Sequence, residues 1–105
     1  MRQRPVYRYR VLVDDNFHYM DESERYEQGV FDSCELAVAA CKRIVDEFLL
    51  SEMRTQNSAD ELWQIYTMFG DDPFIVGDDP TCKFSAWDYA AERCGQLFEK
   101  RFGER

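Results

Sequence analysis

Apolar and polar positions alternate cleanly over residues 6–13, with Tyr7, Tyr9, Val11 and Val13 on one side and Val6, Arg8, Arg10 and Leu12 on the other. A period of two predicts a half-buried strand of an antiparallel sheet, and Asp14-Asp15-Asn16 supplies turn-forming residues to end it. Arg25 to Phe31 reads as another strand, with Tyr26, Gln28 and Val30 on one face. Gly29 within it predicts a bulge or a close backbone approach. Between the two, residues 14–25 fit two readings. Phe17-His18-Tyr19-Met20 adds a strand, or the whole stretch is one long connection.

The period then changes to that of a helix. Asp32 (with Glu35) or Ser33 alone offers an N-cap, and Ala37, Val38, Cys41, Ile44, Val45 and Phe48 recur on one side. Lys42, Arg43, Asp46 and Glu47 fall opposite, and the pattern predicts a helix that ends near Ser51–Arg54. Ser58-Ala59-Asp60-Glu61 has the form of a capping box and opens a shorter helix with Leu62, Ile65, Tyr66 and Phe69 inward, stopped by Gly70. Ser85 caps a last helix whose inward residues are Trp87, Ala90, Ala91, Cys94, Leu97 and Phe98. Phe84 and Tyr89 stand at the positions of a hydrophobic staple around that cap.

Phe74-Ile75-Val76 completes the pattern as a short strand bounded by Pro73 and Pro80, which suits a sheet edge. The order is β-β-α-α-β-α. It predicts an α+β fold: a small antiparallel sheet of three strands, or four if residues 17–20 add one, with three helices packed mainly on one face. With 105 residues and no composition break, the chain is expected to form a single domain, with residues 1–5 as a flexible N-terminal segment.

Charge narrows the partners. Arg2, Arg4, Arg8 and Arg10 make the start basic, yet the chain as a whole carries −8, so its body repels phosphate backbones. Nucleic acid is therefore not an expected partner. No apolar run approaches the roughly 20 residues that span a bilayer, and the start lacks the apolar core of a secretory signal. On that basis Cys34, Cys41, Cys82 and Cys94 read as reduced thiols of a cytoplasmic protein with no membrane association. Eight Phe, six Tyr and two Trp exceed the needs of so small a core, which predicts aromatic rings at the surface.

The most distinctive chemistry is a doubled tetrapeptide, Gly-Asp-Asp-Pro, at 70–73 and 77–80. Both copies read as acidic turns. If Phe74–Val76 is a strand between them, Asp71 and Asp72 lie at the end opposite Asp78 and Asp79. If it bends back, the four carboxylates converge. Their spacing does not match an EF-hand loop. His18 is the only histidine, which excludes a multi-histidine metal site. No phosphate loop, dinucleotide fingerprint, nucleophile elbow or Cys-x-x-Cys pair is present.

These features point to a non-enzymatic protein-interaction or regulatory module without cofactor, metal or catalytic set. The candidate contact residues are Asp71, Asp72, Phe74, Asp78, Asp79, Phe84, His18 and Tyr19. Aromatics rimmed by acids suit a basic, partly apolar protein surface, and the same surface serves a homodimer. The alternative is a small enzyme or ligand-binding protein that uses His18 with Asp14 or Asp15 and a divalent cation on the acidic turns. It requires those groups to meet in one pocket.

Overall fold

The structure is a computed structural model that describes residues 8–18 and 25–103. It has the expected α+β architecture. Strand β1 (Tyr9–Asp15) and β2 (Tyr26–Phe31) are followed by helices α1 (Cys34–Glu52) and α2 (Ala59–Phe69), strand β3 (Asp71–Gly77) and helix α3 (Ala86–Gly103). The sheet has three antiparallel strands in the order β2-β1-β3, so β1 is central and β3 is an edge strand.

Alternation in β1 is obeyed. Tyr9, Val11 and Val13 are buried beneath the helices, while Arg10 is exposed and Leu12 and Asp14 are partly covered on the outer face. The strand runs on to Asp15 because β3 is longer than its apolar centre. Asp71 and Asp72 pair with Asp15 and Asp14, and Pro73 stands buried opposite Val13. The first Gly-Asp-Asp-Pro is thus strand rather than turn, a correction with two causes. Pro73 is tolerated because β3 is an edge, and Asp71 is held by its carbonyl, which accepts the Tyr66 hydroxyl at 2.6 Å. Gly70 is fully extended (φ −74°, ψ 168°). It is glycine because a β-carbon there would lie 2.4 Å from the Tyr66 ring.

In β2 the pairing slips between Val11 and Leu12, so that Gly29 opposes Val11 but Glu27 opposes Leu12. Gln28 is the extra residue, beside the glycine that predicted a bulge. The bulge also corrects the expected faces. Tyr26, opposite Val13, lies toward the helices, while Val30, opposite Arg10, lies on the outer face. Phe17 and His18 belong to a 3-10 turn, Asn16–His18, and not to a fourth strand. Tyr19, Met20, Tyr7 and the N-terminal segment 1–5 lie outside the described residues.

Caps fix the helix starts. The Ser33 hydroxyl accepts from Leu36 N–H, Ser58 from Glu61 N–H and Ser85 from Asp88 N–H. Phe84 and Tyr89 meet at 5.7 Å between ring centroids, as a staple does. The core divides along α1. Its first half packs Ala37, Ala40, Cys41 and Ile44 on Tyr9, Val11 and Val13 of the sheet. Its second half packs Val45 and Leu49 on Leu62 and Tyr66 of α2 and on Ala90, Cys94, Leu97 and Phe98 of α3. Truncating fully buried Leu49 or Leu62 to Ala would cost about 2–5 kcal/mol. A polar seam reinforces α1 against α3, since Asp46 accepts from Tyr89 and Arg93 at 2.8 and 3.1 Å.

Two expectations for the cores need correction. Phe69, Trp87 and Ala91, assigned inward by helical spacing, are exposed, Phe69 to 47% and Trp87 to 38%. Phe69 is the last residue of α2 and Trp87 the second of α3, where no further turn covers them. Cys34 and Cys82 are also not thiols. They form a disulfide, with Cα atoms 5.7 Å apart, that ties the start of α1 to the segment after β3. Cys41 and Cys94 remain free and buried, and burial pushes their thiols up to about 12 and about 11.

Candidate protein-docking site

The site begins with Asn16, the buried polar residue that follows β1. Its N–H donates to the Gly70 carbonyl and its Nδ2 to the Tyr66 carbonyl, both at 2.9 Å. Its Oδ1 accepts from the indole of Trp87 at 3.2 Å. One asparagine therefore ties the end of the central strand to the end of α2 and the beginning of α3. Buried polar groups that find all their partners in this way fix geometry strongly.

Three exposed aromatic side chains surround this tie. Phe17, 62% exposed, stacks on Phe69 with centroids 5.4 Å apart and planes 20° apart. Trp87 stands edge-on to Trp63 at 5.6 Å, and Trp63 stacks on the buried Tyr66 ring at 6.1 Å. Trp87 is thus continuous through Trp63 with the core ring of Tyr66, while Phe17 and Phe69 form a separate stacked pair. The Phe17 N–H donates to the Asp15 carboxylate at 2.8 Å, which fixes the turn itself.

Acids flank these rings. Asp14 and Asp15 immediately precede Asn16, Asp71 and Asp72 immediately follow Gly70, and the pairs face each other across β1 and β3. Arg25 forks onto Asp14 with bonds of 2.6 and 3.1 Å and lies over the Phe74 ring at 5.0 Å. Burial, and then Asp15 and Glu47, raise the Asp71 carboxyl above its ordinary value. Burial, and then Asp14, raise that of Asp72. Among the described residues this end therefore combines aromatic surface with more negative than positive charge.

The expected candidates are distributed unevenly. Asp71 and Asp72 lie two and three residues after Phe69, at the same end of the sheet as Asn16. Phe74 is on the outer sheet face under Arg25. Asp78 and Asp79 lie at the far end of β3, roughly 20 Å away at the rise of a strand. The four carboxylates of the doubled tetrapeptide do not converge, and among the described residues no three acidic, histidine or cysteine side chains are placed to hold a metal. The second tetrapeptide is a turn, closed by Asp79, which accepts from Thr81 N–H at 2.9 Å, Thr81 hydroxyl at 2.6 Å and Tyr9 hydroxyl at 2.9 Å. Those bonds hold the Asp79 carboxyl below the usual range. Phe84 is half-buried between the two core clusters. His18 closes the turn that carries Phe17, and Tyr19 lies outside the described residues.

Asn16, Phe17, Phe69 and Trp87 were not among the expected contact residues. The surplus of aromatics was the available signal, but their convergence depends on the pairing of β1 with β3, which places residue 16 against residue 70. Comparison with protein-family models, curated proteins and solved structures finds no match.

Proposed function

We propose that this chain is a non-enzymatic interaction module that docks a basic, partly apolar protein segment on Phe17, Phe69 and Trp87. The observation that carries the reading is the exposed Phe17–Phe69 stack, held at the Asn16 tie between β1, α2 and α3. Large rings fixed in place before binding lose little entropy on contact, and such anchors dominate protein interfaces. The carboxylates of Asp71 and Asp72 favour Lys or Arg beside the apolar contact and disfavour nucleic acid. No helix among the described residues is long and apolar enough to cross a membrane.

The cytoplasmic setting suggested by four reduced thiols loses its basis for Cys34 and Cys82. A disulfide between them fits an oxidising compartment better.

Selection of displayed random peptides on the wild type, with counter-selection on the Phe17→Ser/Phe69→Ser variant, tests the reading. The expected survivors combine Lys or Arg with apolar residues. Survivors that bind the variant equally well, or that lack basic residues, would overturn it.

A further inference from the structure

The segment between β3 and α3, residues 78–85, has no helix or strand of its own, and it leads directly into Trp87 of the aromatic corner. Its internal bonds are local. The Asp79 carboxylate accepts from Thr81 N–H, and the Asp79 carbonyl accepts from Cys82 N–H. Longer-range ties hold the segment to the fold. Asp79 accepts the Tyr9 hydroxyl, Phe84 packs against both core clusters, and Cys82 is bridged to Cys34 of α1. Of these, the bridge is the covalent one.

The two ends of the bridge differ in access. Cys82 is 7% exposed and belongs to the core cluster between the sheet and α1. Cys34 is only partly covered, and with Glu35, Val38, Ala39 and Lys42 it lines an open groove of about 350 Å³. A thiolate therefore reaches the bridge from the Cys34 side. Cys34 is also the first residue of a 19-residue helix, where the positive end of the dipole favours negative charge.

We propose that the Cys34–Cys82 bridge is a redox latch, opened by a dithiol reductant over the Cys34 groove, that frees residues 78–85 and loosens the start of α3 at Trp87. The first thiolate of the reductant attacks Cys34 Sγ, the S–S bond breaks, and the Cys82 sulfur takes the electron pair and a proton. The second thiolate attacks the reductant sulfur now bound to Cys34. The reductant becomes a disulfide, and Cys34 departs as a thiolate at the helix start. Two electrons pass to the chain, and the dithiol loses two protons, one to Cys82 and one to solvent. With the bridge cut, residues 78–85 leave α1 at the cost of the Tyr9–Asp79 bond and the contacts of Cys82 and Phe84, while the sheet and helices stay paired. The effect on a docked partner rests on the docking role proposed for the corner. The latch is measured on the chain alone, so the two fail separately.

Hydrogen–deuterium exchange at residue resolution, on the full chain before and after reduction by dithiothreitol, tests the inference. Labelling is kept short enough that β1 and α1 stay protected in both forms. Reduction should speed exchange of the hydrogen-bonded amides of Thr81, Cys82, Asp88 and Tyr89 at least about tenfold, and reoxidation should reverse it. Cys34→Ser/Cys82→Ser should exchange as the reduced chain does. Amides of that segment that exchange no faster after reduction would overturn the inference. So would gains no larger than those in β1 and α1, since the bridge would then serve global stability alone. A reduction rate that saturates with dithiol concentration at the unfolding rate would also overturn it, because the bridge would then be reached only through unfolding.

Discussion

The indole N–H of Trp87 donates to Oδ1 of Asn16 at 3.2 Å, a bond between residues 71 positions apart in the chain. With the two bonds that Asn16 donates to α2 and Gly70, it converts three separate chain ends into one rigid corner. The exposed rings owe their fixed positions to that corner.

Replacing Asn16 with Ala removes both side-chain bonds and leaves the Trp87 N–H without its protein partner. The expected cost is about 1–3 kcal/mol in urea unfolding. Tryptophan emission should shift to the red as Trp87 loosens. An unchanged stability would show that the corner is held by packing alone.

The Cys34–Cys82 bridge closes a chain separation of 48 residues, and Cys82 lies in the core cluster between sheet and α1. Reduction should lower stability by about 2–4 kcal/mol. Thermal unfolding with and without a phosphine reductant checks this, and Cys34→Ser/Cys82→Ser should match the reduced wild type. Free Cys41 and Cys94 should react with maleimide only on unfolding, because burial raises both thiols.

Asp72 gives a pH dependence of definite sign. Its carboxyl is raised in the folded chain by burial and by Asp14, so the native state binds its proton more tightly than the unfolded state. Stability therefore falls as pH rises from the unfolded value of 3.8 through the raised folded value, and the penalty is complete above it. Asp72→Asn should raise the Tm at pH 7 by about 1–3 °C in protein too dilute to associate. The gain should vanish as pH approaches 3.8. A gain that persists at that pH would assign the effect to packing.

Much of the fold was legible because it depends on local patterns. The alternation at 9–13, the helical period from Ala37 to Val45 and the serine caps each act within a few residues, and each element formed where its pattern placed it. What was not legible depends on pairing between distant segments. The extension of β3 to Asp71 needs β1 as a partner, and the Cys34–Cys82 bridge needs the end of β3 brought to the start of α1. Helical period also cannot tell a residue inside a helix from one at its end, and for that reason Phe69 and Trp87 were assigned to the core. Asp71 and Asp72 were legible as candidates from their repeat, but the rings at that end of the sheet were not.

The most direct test of docking on the aromatic corner is site-specific photocrosslinking. Benzoylphenylalanine replaces Phe17 in one protein and Leu50, half exposed on α1, in another. Both are irradiated in a lysate of the source cells at low salt and at about 0.5 M NaCl, where exposed charges are screened. The account predicts a discrete protein adduct from position 17 that fades at high salt and no matching adduct from position 50. The same adducts from both positions, or none from position 17, would contradict it.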